Sequence, residues 1–152
     1  MTSRFVYTTY IRTTADRLWQ ALTEPEFTRR YWAGTYQESD WTPGSSWRNM
    51  IPDGRLGDSG EILEADRPRR LVLTWRTEFV PEMREEGHSK LTYELEEKDG
   101  IVKLTLIHEM DRPESKLIGA VAEGWPEILA SLKSLLETGE PLASTTEWPE
   151  GV

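Results

Sequence analysis

Residues 90–109 constrain the fold most. Leu91, Tyr93 and Leu95 alternate with Lys90, Thr92, Glu94 and Glu96. After Asp99-Gly100 the pattern resumes, with Val102, Leu104, Leu106 and His108 set against Lys103, Thr105, Ile107 and Glu109. Alternation with period two sends the two sets to opposite faces of a strand, and Asp-Gly suits a tight two-residue turn. The segment therefore reads as an antiparallel hairpin, Lys90–Glu96 with Ile101–Glu109, and one of its faces needs a cover.

The cover comes last in the chain. From Glu114 to Glu137, Leu117, Val121, Trp125, Ile128, Leu129, Leu132 and Leu136 recur at steps of three or four. That is the helical period, and 24 residues at 1.5 Å each span about 36 Å, enough to cross a small sheet. Pro126 has no N–H for the carbonyl of Ala122, and Gly124 loosens the same turn, so a kink or break is expected at 122–126. The stretch after Gly139 reads as a poorly ordered tail, which leaves residues 1–140 as one domain and 141–152 outside it.

Upstream, Phe5–Ile11 is β-branched or aromatic and reads as a strand. Thr13 or Thr14 caps a short helix carrying Leu18, Trp19 and Leu22, and Pro25 opens a second that ends near Tyr31–Gly34. Further strands are expected at Tyr36–Ser39, Ser46–Ile51, Glu61–Ala65 and Leu71–Thr77. Turn signals separate them: Pro43-Gly44, Pro52-Asp53-Gly54, Gly57, Gly60 and Pro68. The class is α+β: a curved antiparallel sheet of seven strands around a long C-terminal helix, with two short helices after the first strand.

Composition narrows the function. The formal charge is −9 and the sequence pI about 4.8. An acidic surface repels phosphate backbones and anionic headgroups, which argues against nucleic acid and membrane partners. Seven Trp and five Tyr supply bulk for the interior. The chain has no Cys, hence no disulfide, thiolate nucleophile or thiolate metal ligand. With no apolar leader and no bilayer-length apolar run, a cytoplasmic protein is expected.

Several stretches, in order, resemble a known family: Leu18-Trp19-Gln20-Ala21-Leu22-Thr23-Glu24-Pro25-Glu26, Tyr31-Trp32-Ala33-Gly34, Pro43-Gly44-Ser45-Ser46-Trp47-Arg48, Gly60-Glu61-Ile62-Leu63-Glu64, Arg70–Trp75, Leu104–Glu109 and Gly124–Lys133. They are similar to the START-like (SRPBCC, birch-pollen-allergen-like) superfamily. Within it they resemble the branch named after the activator of the heat-shock-protein-90 ATPase. The resemblance covers about residues 5–140. It implies the helix-grip fold, with a cavity between sheet and helix that the superfamily uses for lipids, sterols, aromatic polyketides and hormones. It also implies a possible link to stress response.

Among individual residues, His108 shares a strand face with Val102, Leu104 and Leu106, so it reads either as a polar anchor in the cavity or as a structural histidine bonded near Met110. Trp19, Trp32, Trp41, Trp47 and Trp75 suit an aromatic box, while Trp19 and Trp75 equally suit the core, as does Trp125. Trp32 and Trp41, in loop contexts, suit a cavity mouth. The ligand-lining set expected is Tyr7, Trp32, Trp41, Trp75, Tyr93, Leu104, Leu106, His108, Val121 and Trp125. Glu82–Glu86 reads as a solvated charged connection, and Gly57-Asp58-Ser59-Gly60 matches no phosphate-binding pattern. No metal-ligand spacing, GxSxG elbow or cofactor motif is present, so no catalytic residue, metal or cofactor is assigned.

Three functions follow. The leading one is binding of a small hydrophobic ligand, aromatic or lipid-like, in the cavity. The second is a chaperone-interacting protein like the ATPase activator. The third, an enzyme of cyclase or hydrolase type, needs a second polar group facing His108 inside the cavity, a part that Tyr7, Tyr93 or Asn49 suits.

Overall fold

The computed structural model describes residues 2–152. The chain runs β1 (Ser3–Ile11), α1 (Ala15–Thr23), α2 (Pro25–Tyr31), β2 (Tyr36–Ser39), β3 (Ser46–Met50), β4 (Leu56–Asp66) and β5 (Arg70–Thr77). It continues with α3 (Pro81–Arg84), β6 (Ser89–Lys98), β7 (Ile101–Met110), α4 (Lys116–Thr138) and a 3-10 turn at Ala143–Thr145. The seven strands form one antiparallel sheet in the order β1-β7-β6-β5-β4-β3-β2. The hairpin of residues 90–109 has the register its alternation demands, with Tyr93 opposite Leu106 and Leu95 opposite Leu104.

Thr14 caps α1, its hydroxyl accepting from Arg17 N–H at 3.2 Å, and Pro25 occupies the first turn of α2. Ser115 caps α4 in the same way, accepting from Ile118 N–H at 3.1 Å. The α4 helix runs unbroken from Lys116 to Thr138, Pro126 included. A proline in a helix interior costs about 3 kcal/mol. The apolar face continues on both sides of it, with Leu117, Ile118 and Trp125 before and Leu129, Leu132 and Leu135 after, all buried. Their burial, at roughly 1.5–3 kcal/mol each, outweighs that cost.

Besides α4, which has no break at 122–126, and the short helix α3, where a loop was expected, two segments differ from expectation. Gly57 and Gly60, which resemble turn signals, lie inside β4. A Cβ on Gly60 would sit 1.8 Å from the Thr74 carbonyl oxygen, so glycine here permits a close approach of β4 to β5. The tail is also given defined contacts: Leu142 N–H donates to Ser131 Oγ at 2.9 Å, Ala33 N–H donates to the Thr145 carbonyl at 2.6 Å, and Trp148 packs edge-on against Phe79 at 5.4 Å.

Candidate functional site

The register of the sheet assembles two polar chains on its concave face. On the β3–β5 side, Asn49 lies opposite Asp58, and Asp58 opposite Thr77. Thr77 Oγ1 donates to Asp58 Oδ1 at 2.9 Å, and Asn49 Nδ2 donates to Asp58 Oδ2 at 3.2 Å. Trp75 Nε1 donates to Thr77 Oγ1 at 3.3 Å. Burial pushes the Asp58 carboxyl up to about 7, against the hydrogen bonds from Thr77, Asn49 and Trp75 that pull it down. Asn49 Oδ1 is buried and has no partner.

The second chain runs through His108. Trp125 Nε1–H donates to His108 Nδ1 at 3.1 Å. An indole nitrogen only donates, so Nδ1 is the acceptor and the imidazole proton sits on Nε2. Nε2–H then donates to Ser89 Oγ, 2.7 Å away, and the Ser89 hydroxyl donates to the Trp75 carbonyl at 3.0 Å. Every polar atom of the chain has a partner. Burial alone pushes the imidazole down to about 3, so His108 stays neutral. It is a structural histidine, although its partners are the side chains of Ser89 and Trp125 rather than a backbone group near Met110.

Between these chains stand four tryptophans. Trp75 lies 4.9 Å from Trp47, 6.0 Å from Trp32 and 5.9 Å from Trp125, ring centre to ring centre. They fill the middle of the grip. The open space is displaced toward the N-terminal half of α4, where a cavity of about 320 Å³ remains. Its walls are Trp32, Trp75 and Trp125, with Leu117, Val121 and Ile128 of α4. Phe79, Val80 and Met83 close one side, Trp148 and Val152 of the tail another, and Asn49, Asp58 and Thr77 form the polar end.

Of the ten expected lining residues, Trp32, Trp75, Val121 and Trp125 reach this cavity. Tyr93, Leu104, Leu106 and His108 do not line it: all four are buried in the core, and the Trp125 indole lies 6.3 Å from the Tyr93 ring and 6.2 Å from that of His108. Tyr7 and Trp41 are half-buried against the core, away from the cavity. The sequence reading named Asn49 only as a group to face His108, and missed Asp58 and Thr77 beside it. Taking Gly57–Gly60 as a turn hid the strand that presents Asp58, although the alternation Asp58, Gly60, Ile62 was there to be found.

Glu86 is a further correction. It is not a solvated loop charge: its side chain is 3 % exposed. Oε1 accepts from Ser115 Oγ at 2.7 Å and Oε2 from Lys116 N–H at 2.7 Å, at the N-terminus of α4. Burial pushes this carboxyl up, but those bonds and the N–H of Leu117 hold it below the usual carboxylate range. The α3 turn thus clamps the end of the helix that roofs the cavity. Among the described residues no group of three or more His, Asp or Glu gathers as a metal site. No helix among them is long and apolar enough to cross a membrane.

A seven-stranded antiparallel sheet gripping a long C-terminal helix, with a cavity between them, defines a START-like (SRPBCC) helix-grip protein. Residues 12–137 match the model of the family described as activator of Hsp90 ATPase homolog 1-like protein, and the chain belongs to that family. Solved structures with the same fold include protein MLL2253 from Mesorhizobium loti, at 21 % identity and a TM-score of 0.75, covering 89 % of this chain and 97 % of that one. Another is PFC0360w, an HSP90 activator from Plasmodium falciparum, at 22 % identity and a TM-score of 0.72, covering 88 % and 95 %. CalU16 from Micromonospora echinospora is similar at 23 % identity and a TM-score of 0.70, covering 93 % and 78 %. No curated protein matches the sequence.

Proposed function

We propose that the protein binds a small hydrophobic ligand, aromatic or lipid-like, in the cavity between α4 and the β3–β5 end of the sheet. One observation carries this: a cavity of about 320 Å³ is walled by indole rings and aliphatic side chains, with its polar groups confined to one end. Apolar walls with a few convergent polar groups are what a small-molecule site requires. A cytoplasmic setting is part of the proposal, and a chain with no disulfide to lose is compatible with a reducing compartment. Of the enzyme alternative, the route through His108 loses its support, because that residue does not line the cavity and both its ring nitrogens are occupied.

Naphthalene titrated by calorimetry tests the reading. Val121→Trp, which fills the cavity from the helix side, is expected to weaken binding at least about tenfold. Binding unchanged in that variant would sink it. Family membership favours a second reading, contact with a chaperone. An increase in the ATPase turnover of an Hsp90-type chaperone on adding this protein would support it, and no change at saturation would remove it.

A further inference from the structure

The polar end of the cavity is unbalanced. Asn49 is 4 % exposed and Asp58 7 % exposed, yet Asn49 Oδ1 has no hydrogen-bond partner. A buried polar atom left unpaired is costly and marks a place where a further partner is wanted. We propose that the cavity selects apolar ligands bearing a hydroxyl group, which hydrogen-bonds to the Asn49 amide beside Asp58. This rests on the cavity reading above and adds the ligand's chemical class.

The hydroxyl follows from counting donors. Of the two partners of Thr77 Oγ1 the Trp75 indole only donates, so the hydroxyl proton goes to Asp58 Oδ1, and Asp58 Oδ2 is left to take up a proton. While Asp58 is ionised, Asn49 Nδ2 donates to Oδ2 and Asn49 Oδ1 is the spare atom, wanting a donor. Once Oδ2 is protonated it becomes a donor, and the amide meets it by a half-turn that brings Oδ1 to Oδ2. Nδ2 is then the spare atom, wanting an acceptor. A hydroxyl both donates and accepts, so it fits either state. An ether accepts only, so in the ionised state it leaves Oδ1 unpaired, and it suits the protonated state better.

Both states are accessible near neutrality, because burial holds the Asp58 carboxyl near 7. Its neighbours on β3 and β5, Asn49, Thr77 and Trp75, are uncharged. The charge acting on it is Glu78, which pushes it further up and is itself paired with Arg76 at 2.6 Å and Arg84 at 3.3 Å. From α3 and α4 the wall presents Met83, Val121 and Gly124, with no charged side chain.

The test compares 2-naphthol, 2-methoxynaphthalene and naphthalene by calorimetry at pH 5 and pH 8. At pH 8, 2-naphthol is expected to bind about tenfold tighter than either of the others. At pH 5 the methyl ether should close on 2-naphthol while naphthalene stays behind, and Asn49→Leu should bring all three ligands level. Equal binding of 2-naphthol and naphthalene overturns the proposal and leaves the cavity reading standing. Failure of all three to bind overturns both. A hydroxyl preference that persists in folded Asn49→Leu also overturns the proposal. If that variant does not fold, the wild-type protein decides: a gap between naphthol and ether that is the same at both pH values overturns it.

Discussion

His108 and Asp58 are both titratable side chains buried on the same concave face, and they do opposite things. The His108 chain closes on itself: Trp125, His108, Ser89 and the Trp75 carbonyl each find a partner in the core. The Asp58 chain ends at the cavity with one amide atom unpaired. A satisfied buried network rigidifies a core, whereas an incomplete one at a cavity wall leaves something for a ligand to complete. The lesson is that a polar residue among aliphatics is not by itself a site; its unspent hydrogen-bonding capacity is the better guide.

Opposite pH dependence should separate the two regions most sharply. The folded pKa of Asp58 is raised from 3.8 to about 7, so across that window the folded state holds a proton that the unfolded state has lost, and stability falls as pH rises. The folded pKa of His108 is lowered from 6.5 to about 3, so there the unfolded state holds the extra proton and stability rises with pH. Between pH 4 and 6.5 the two slopes oppose, and the wild-type contribution from this pair is nearly flat. His108→Gln should expose the Asp58 slope, a fall of about 4 kcal/mol between pH 4 and 7. Asp58→Asn should expose the reverse, a rise of about 3 kcal/mol from pH 4 to 6.5. Urea unfolding across this range checks both, and slopes of the same sign in the two variants would refute the assignment.

Smaller effects sharpen the same contrast. His108→Ala removes the centre of the closed chain and leaves a void, and should destabilise by about 3 kcal/mol at pH 7, read as a lower urea midpoint. Ser89→Ala leaves the imidazole Nε2–H unpaired and should cost about 2 kcal/mol by the same measurement. At the open end, Asn49→Leu removes the orphaned acceptor together with a donor to Asp58. These partly offset, so stability should change by no more than about 1 kcal/mol. A loss at Asn49 as large as that at His108 would erase the distinction.

Much of the fold was legible. The alternation at 90–109, a threonine cap at 13 or 14 and the helical period within 114–137 are local patterns that short stretches carry. Individual residues were harder wherever one residue type serves two purposes. Glycine marks a turn, but it also permits close strand approach, as at Gly60, so β4 was read short and Asp58 was lost with it. Glutamate in a loop is normally solvated, yet Glu86 is held at the N-terminus of a helix that begins 30 residues later in the chain. The side-chain face of His108 was read correctly from alternation; that Trp125 would reach it from α4 was not contained in either segment alone.

The sequence by itself determined the order of the strands and of α1, α2 and α4, the strand faces and the aromatic interior, since these follow from periodicity and side-chain size over short stretches. Tertiary structure alone decided where the hollow lies and what borders it. Four indoles, one just past the end of α2 and the others from β3, β5 and α4, meet in the middle and push the free space to one end. Cross-strand register then places Asn49, Asp58 and Thr77 beside it. Packing of side chains far apart in sequence depends on volume and register across the whole sheet, which no local pattern encodes.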